Sequence, residues 1–210
     1  MNDLLFIAGT ICQSTHIEEA FSAAVRTLKT RMKARTVALV LIDHETGRLR
    51  IPISRGLSET FLKRFDRDIG LGAVADLLGQ CGPTVLSADR TEPFEELRLE
   101  NPASSIMVTP LRVEGKSLGY LYVDHDESDH FSDDDARFME VVALLLALAV
   151  DRNHYQELYT RSHHQDELTG LFARDYFRTR LTEEIARARR DDEPLSMLLI
   201  SADNLNLIRS

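Results

Sequence analysis

The spacing of apolar residues predicts that helices and strands alternate along this chain. Apolar residues recur every three to four positions in 4–11 and again in 17–32, which predicts two helices near the N-terminus. Short runs that are β-branched or that alternate in polarity predict strands. These runs lie at 36–43, 48–56, 82–87 and 105–126, and the last is a hairpin that turns at 114–116.

A long helix is predicted after the hairpin. "SDDD" (132–135) places a serine cap and three acidic side chains where a helix would begin. No proline or glycine interrupts the chain from there to about residue 163. Short helices are predicted at 58–65 and 73–80, and a loop that has room for one helical turn at 88–104. Together these elements predict an α+β fold, with helices packed on a largely antiparallel sheet.

Composition and charge narrow the functional classes. The 210 residues carry a net charge of −9, so the chain lacks the positive surface that nucleic-acid binding normally uses. The longest apolar run, 138–150, is too short to span a bilayer, and the N-terminus lacks the basic start of a signal peptide. Cys12 and Cys81 form no C-x-x-C pair, which favours a reducing compartment. We therefore expect a cytoplasmic protein without nucleic-acid or membrane partners.

Three stretches resemble the GAF domain family over about residues 10–152. They are "GPTVLSAD" (82–89), "VTPLRVEGKSLGYLYVD" (108–124) and "FSDDDARFMEVVALLLALAV" (131–150). The resemblance implies a GAF-like central antiparallel sheet with helices packed on it and a long C-terminal connector helix. It assigns 1–152 to a sensor or regulatory domain, and 132–165 to a helix that completes this domain and connects it to the C-terminal segment.

The resemblance also implies a pocket on one face of the sheet, built from the strand at 105–111 and the segments 70–80 and 88–104. The candidate lining residues are Ile69, Leu71, Val74, Leu78, Cys81, Ile106 and Val108. Bilin-binding GAF domains anchor their chromophore through a cysteine, but Cys81 is interpreted as a buried small residue. We expect no cofactor, and a small molecule of unknown identity is the kind of ligand that such a pocket allows.

A second resemblance begins at "DELTGLFARDYFRTRL" (166–181), which is similar to the start of GGDEF domains, the diguanylate cyclase fold. A helix at 177–190 and a strand at 194–203 follow where that family has its first helix and strand. The matching residues are Asp166, Leu168, Thr169, Gly170, Leu171, Arg174 and Phe177, with Asp203 further along. Such cyclases make cyclic di-GMP from two GTP molecules with magnesium, so the resemblance implies a role in cyclic di-GMP signalling.

Departures from the GGDEF pattern argue against catalysis by this chain. Ser201 stands where the family has a metal-binding aspartate, and Arg209 where it has an asparagine that helps to bind guanine. A serine hydroxyl is a poor magnesium ligand beside a carboxylate, and no GG[DE]EF signature occurs. We therefore expect 166–210 to be an incomplete segment, truncated or degenerate, without catalytic residues. An active diguanylate cyclase whose catalytic loop lies beyond residue 210 is the alternative.

The long helix carries mainly apolar residues at the a and d spacing of a coiled coil. These residues are Phe138, Val141, Leu145, Leu148, Arg152, Tyr155 and Tyr159. They predict a parallel homodimer in which the helix transmits the state of the sensor to the GGDEF segment. The alternative is a terminal helix buried by its own domain alone.

The segment "DHDESDH" (124–130) concentrates carboxylate and imidazole side chains. A charged surface loop before a helix accounts for this composition, so no metal site is predicted. The expected function is a signalling sensor that dimerises and controls a GGDEF-type output domain. A ligand-free interaction scaffold with a collapsed pocket is a further alternative.

Overall fold

The computed structural model describes residues 2–14, 16–43, 46–69, 72–88, 91–164, 170–172, 174–191, 194–198 and 200. The chain divides into two compact units, Met1–Tyr155 and Gln156–Ser210. Its helices are α1 Asn2–Gln13, α2 Ile17–Arg31, α3 Glu59–Arg64, α4 Ala73–Gly79, α5 Thr91–Leu97, α6 Asp133–His164 and α7 Arg174–Asp191. Its strands are β1 Thr36–Ile42, β2 Arg48–Arg55, β3 Arg67–Asp68, β4 Thr84–Ser87, β5 Ser105–Val113 and β6 Lys116–His125.

One antiparallel sheet organises the first unit. Its six strands lie in the order β3-β2-β1-β6-β5-β4, and every neighbouring pair is antiparallel. The central strands β1, β5 and β6 are buried along most of their length. Strands covered on both faces carry nearly continuous apolar sequences, as these do. The predicted α+β class with a central antiparallel sheet is confirmed.

Alternate side chains of the central strands enter two separate cores. Leu39, Met107 and Leu121 face α1, α2 and α6, and we call this side of the sheet the helical face. Val40 and Tyr120 face α4 and α5, and we call this side the lid face. A single strand such as β6 therefore contacts both helical layers.

Helix α6 begins at the cap that the sequence predicts. The Asp135 amide donates to Ser132 Oγ at 3.3 Å, and the Ser132 amide donates to Asp135 Oδ2 at 3.1 Å. The two residues thus satisfy two backbone amides at the exposed helix start. Met139, Val142 and Leu146 on the inner side of α6 are fully buried against the helical face.

Three elements differ from the sequence prediction. Residues 91–97 form the seven-residue helix α5 rather than a loop with at most one helical turn, because Phe94 and Leu97 are buried against the lid face. Strand β3, which pairs with β2 through Arg67 and Leu49, is too short to leave a periodic signal. The strand predicted at 194–203 is wrong for 194–198 and 200, since those residues have no strand partner within the described part of the chain.

Candidate functional site

Helices α4 and α5 cover the lid face and together form its lid. Their apolar side chains meet β1, β5 and β6 in one continuous core. The sheet contributes Ala38, Val40, Ile106, Val108, Tyr120 and Tyr122 to this core. The lid and the segment after it contribute Val74, Leu77, Leu78, Phe94, Leu97 and Leu99. Two tyrosine hydroxyls are thereby placed in surroundings that are otherwise apolar.

The hydroxyl of Tyr120 is buried under the lid and has no hydrogen-bond partner among the described residues. Tyr120 is 0% exposed. Burial raises the pKa of its phenol to about 12, and the nearby positive charge of Arg67 opposes this shift. A buried polar group without a partner costs about 1–3 kcal/mol. The Tyr120 hydroxyl is therefore suited to exchange a hydrogen bond with a polar atom of a bound molecule.

Arg67 brings a fixed positive charge to the lid. Its Nη1 donates to the Glu96 carbonyl at 2.9 Å, and its Nη2 donates to the Arg98 carbonyl at 3.1 Å. These bonds tie β3 to the end of α5. A cation held in place by carbonyl oxygens favours a ligand that presents an electronegative oxygen to this region.

Tyr122 and Asp124 form a hydrogen-bonded pair on the same face. The Tyr122 hydroxyl donates to Asp124 Oδ2 at 2.9 Å and accepts from the Leu99 amide at 3.5 Å. Asp124 Oδ1 has no hydrogen-bond partner within the described ranges. Burial raises the pKa of Asp124, although the hydrogen bond from Tyr122 opposes the shift. Burial also raises the pKa of Tyr122.

Replacing Asp124 by asparagine is expected to change how stability depends on pH. The folded-state pKa of Asp124 lies above its ordinary value of 3.8. Its contribution to wild-type stability is therefore full below that value and is lost as pH rises through the folded-state pKa. Asp124→Asn keeps an acceptor for Tyr122 and does not ionise. By urea unfolding, wild type should lose stability relative to the variant as pH rises, by at most about 1.4 kcal/mol per pH unit.

Asp126 on the neighbouring loop supplies a matched control. Its side chain is exposed, so Asp126→Asn should follow the wild-type pH profile closely. A free-energy difference between wild type and Asp124→Asn that stays constant from about pH 4 to pH 8 would contradict the raised pKa.

The residues predicted to line the pocket occupy three settings. Four of them are buried together under the lid, namely Val74, Leu78, Ile106 and Val108. Ile69 packs half-buried against the same core, whereas Leu71 lies outside the described residues. The interpretation of Cys81 as a buried residue is wrong. Cys81 is exposed, because it follows α4 on the connection to β4 at the rim of the sheet.

Cys81 instead lines a cleft at the outer edge of β5. This cleft has a volume of about 360 Å³ and lies between the segment after α4, the β5–β6 turn and α6. Its lining includes Cys81, Thr109, Arg112, Glu114, Glu140 and Leu144. Arg112 Nη1 donates to the carbonyls of Leu78, Gly79 and Gln80, which fixes the cleft wall.

The face of α6 predicted to dimerise differs in part from the exposed face. Phe138 is buried on the helical face beneath the Arg31 guanidinium, 4.2 Å from the ring centroid, so its placement on a dimer face is wrong. Leu145 is half-buried, and Arg152 Nη2 donates to the Ile11 carbonyl at 3.1 Å. The Tyr159 side chain lies outside the described part. The exposed apolar residues, which we call the outer stripe, are Val141, Leu144, Leu148 and Tyr155.

Several residues at positions of the GGDEF pattern lie outside the described residues, both the matches Asp166, Leu168, Thr169 and Asp203 and the departures Ser201 and Arg209. Gly170 has a φ of +67°, and Leu171 is exposed. Arg174 is the first residue of α7. Phe177 and Ile185 on that helix are also exposed.

Comparison with known families assigns the sheet and its lid to a domain family. The GAF domain family matches residues 16–150. The chain belongs to the GAF domain family. The diguanylate cyclase, GGDEF domain, family matches 163–210, and residues 151–162 lie between the two matches. No curated protein sequence matches the chain, and none of the described helices is long and apolar enough to cross a membrane.

Solved structures share the GAF fold at low sequence identity. A GAF domain from an Acinetobacter phosphoenolpyruvate-protein phosphotransferase is 21% identical, with a TM-score of 0.66 over 73% of this chain and 93% of that chain. The corresponding domain from Coxiella burnetii is 20% identical, with a TM-score of 0.65 over 75% and 95%. Free methionine-R-sulfoxide reductase from Neisseria meningitidis is 18% identical, with a TM-score of 0.62 over 73% and 89%. These likenesses concern the fold alone.

Proposed function

We propose that this GAF domain binds a small molecule under its lid and thereby controls a C-terminal GGDEF-type output region in cyclic di-GMP signalling. A GAF domain followed by a partial GGDEF match supports a sensor role in signal transduction. The observation that carries the ligand is the buried Tyr120 hydroxyl, which has no hydrogen-bond partner among the described residues. Retaining such a group is costly unless a bound molecule satisfies it.

The chemistry of the lid indicates a compact ligand with an apolar body and at least one acceptor oxygen. Tyr120 supplies a donor that can reach this oxygen, and the Arg67 charge favours negative charge on it. Phe94 and Leu97 supply the apolar surroundings that bury the remainder. Ligands of this class include small carboxylates and carbonyl compounds, rather than cations.

Strand β6 provides the physical link between the lid and α6. Tyr120 and Tyr122 face the lid, whereas Leu121 and Val123 between and after them pack in the core that contains α6. A tightly packed strand moves as a unit. A ligand that shifts the lid-facing side chains of β6 would therefore shift the surface on which α6 rests.

The outer stripe of α6 supports a homodimer. In this dimer the shift of α6 would be transmitted to the C-terminal segments. Val141, Leu144 and Leu148 recur at intervals of three and four residues and are exposed, as in a coiled-coil seam. A two-fold dimer would bring the C-terminal segments of both copies side by side. Catalysis is not expected from the chain itself, because Ser201 and Arg209 replace the metal and guanine residues of the GGDEF pattern.

Tyr120→Phe is expected to weaken ligand retention and to stabilise the ligand-free protein. Native mass spectrometry of freshly purified wild type should detect a bound small molecule, at lower occupancy in the variant, because the variant lacks the hydroxyl. After refolding from urea to remove ligand, the variant should be more stable than wild type by about 1 kcal/mol, because it no longer buries an unsatisfied hydroxyl.

Tyr122→Phe is the matched control for Tyr120→Phe. It removes a hydroxyl that Asp124 needs, so it should destabilise the ligand-free protein by about 1–3 kcal/mol. The two substitutions are thus expected to change the stability of the ligand-free protein in opposite directions, although each deletes one phenolic oxygen. Wild type that retains no small molecule, together with a Tyr120→Phe variant that gains no stability, would favour the ligand-free scaffold.

A further inference from the structure

The loop between β6 and α6 brings three potential metal ligands together. His125 is the last residue of β6, and Glu127 and His130 follow it in the loop. One donor atom from each of these side chains lies within 4.8 Å of the donor atoms of the other two. Two imidazoles and one carboxylate are a donor set that zinc and related transition-metal ions use in proteins.

The hydrogen bond of His130 decides which of its nitrogens is available for binding. Nε2 lies 2.9 Å from the Met32 carbonyl oxygen, and because a carbonyl only accepts, Nε2 carries a proton. Nδ1 is thus the ring nitrogen that remains for binding, and it lies 3.5 Å from Glu127 Oε2. A histidine that binds a metal commonly donates its other nitrogen to a carbonyl or carboxylate in this way.

Nδ1 of His130 and the carboxylate of Glu127 therefore face one another across one gap. A nitrogen and a carboxylate oxygen in this arrangement are held together by a proton or by a metal ion between them. A proton on Nδ1 would satisfy this pair alone. A transition-metal ion takes further ligands, and His125 offers one beside the same gap.

His125 joins the set when its ring turns. Its Nδ1 accepts from the Glu127 amide at 3.0 Å, and its ring stacks on His130 with centroids 3.5 Å apart and planes 7° from parallel. Rings stacked in this way do not direct both in-plane lone pairs at one ion, so one ring must rotate. The His130 ring is held by its hydrogen bond to the Met32 carbonyl at the end of α2. The His125 ring, in contrast, accepts its hydrogen bond from an amide of its own loop. His125 is therefore the ring that rotates.

The backbone that carries the ligands is already held in place. Ser105 Oγ donates to the Glu127 carbonyl at 2.8 Å, and Ser87 Oγ donates to Asp129 Oδ1 at 2.6 Å. Both serines belong to strands of the sheet. Because the loop is anchored, binding reorders few groups besides the His125 ring and the Glu127 side chain, which is 77% exposed.

We propose that His125, Glu127 and His130 bind one divalent transition-metal ion of the zinc class, with water completing its coordination. The ion would lie directly before α6 and be linked through His130 to Met32 at the end of α2. This inference does not depend on the ligand under the lid.

Titration of tag-free, chelator-treated protein with cobalt(II) chloride alone tests the site. Wild type is expected to bind one equivalent, with visible d–d absorption from nitrogen ligation, and zinc(II) is expected to compete for it. Zinc(II) should also raise the unfolding temperature, since it binds the folded state. Glu127→Ala and His130→Ala are each expected to weaken cobalt(II) binding at least about tenfold.

His154→Ala is the control, because His154 lies on the exposed part of α6, away from the loop. It should bind cobalt(II) as wild type does. Glu127→Ala keeps the test decisive if His130→Ala unfolds, because the Glu127 side chain lies at the surface. Wild type that shows no cobalt(II) absorption, or Glu127→Ala and His130→Ala variants that bind as wild type does, would overturn the proposal.

Discussion

Gly119→Ala is expected to destabilise the GAF domain by at least about 4 kcal/mol, a cost reached only by exceptional substitutions. Gly119 lies in β6 opposite Leu41 of β1 and Leu111 of β5, at the centre of the sheet. Its φ is +146°, a conformation that L side chains rarely adopt. A Cβ there would also overlap the Val40 carbonyl oxygen and lie 2.8 Å from Leu41 Cα. Urea unfolding with wild type as reference measures the loss.

Two other glycines separate the contributions to this cost. Gly115 in the β5–β6 turn has a φ of +80° and open space around its Cα, so Gly115→Ala should cost about 1–3 kcal/mol from backbone strain alone. Gly9 in α1 has open space and no positive φ, so Gly9→Ala should stabilise by about 0.5–1 kcal/mol. If Gly119→Ala proves as stable as Gly115→Ala, or more stable, the predicted overlap with the backbone is contradicted.

The strands and the long helix were predictable because their signals are local. The apolar run of β1 and the hairpin of β5 and β6 need only neighbouring residues to be recognised. The cap at Ser132 lies within the same turn as the residues that it satisfies. Helix α5 was missed because its stability comes from burying Phe94 and Leu97 against strands that are distant in the sequence.

The polar groups of the lid site were not predicted, because they come from separate elements. Tyr120 belongs to β6, and Arg67 belongs to the two-residue strand β3. Their approach depends on the order of the strands and on the lid that covers them. One sequence signal was available: Tyr120, Tyr122 and Asp124 place polar groups at every second position of a strand whose neighbours are apolar.

The face of α6 that meets solvent could not be chosen from periodicity alone. Leu144, Leu145 and Leu146 are consecutive and therefore point about 100° apart around the helix. Leu146 is fully buried, Leu145 is half-buried and Leu144 is 56% exposed. The a and d assignment through Phe138 and Leu145 fits the sequence equally well, but packing on the sheet turns that side partly inward.

Leu144→Glu combined with Leu148→Glu is expected to convert a dimer of this chain into monomers. The two leucines are 56% and 52% exposed, so the change should leave the fold of each copy intact. In a two-fold dimer each substitution occurs twice, and burying unpaired carboxylates costs several kcal/mol. Weakening by about 3 kcal/mol raises the dimer Kd more than about a hundredfold. Analytical ultracentrifugation over a concentration series measures this shift.

Gln156→Glu introduces the same charge at an exposed position of α6 outside the outer stripe, and it should leave the dimer Kd unchanged. A wild type that is monomeric at high micromolar concentration, or a double variant that stays dimeric, would exclude dimerisation through the outer stripe.

Complementary charges at Leu148 test the orientation of the two helices. In a parallel coiled coil, each a position faces the same position of the partner. Leu148→Glu and Leu148→Lys should therefore each dimerise weakly alone, because like charges meet across the axis, while an equimolar mixture should form a heterodimer. In an antiparallel pair Leu148 faces other positions of the partner helix. Mixing the two variants would then restore little dimerisation. Only the parallel arrangement places both C-terminal segments at the same end, as control of a GGDEF-type output requires.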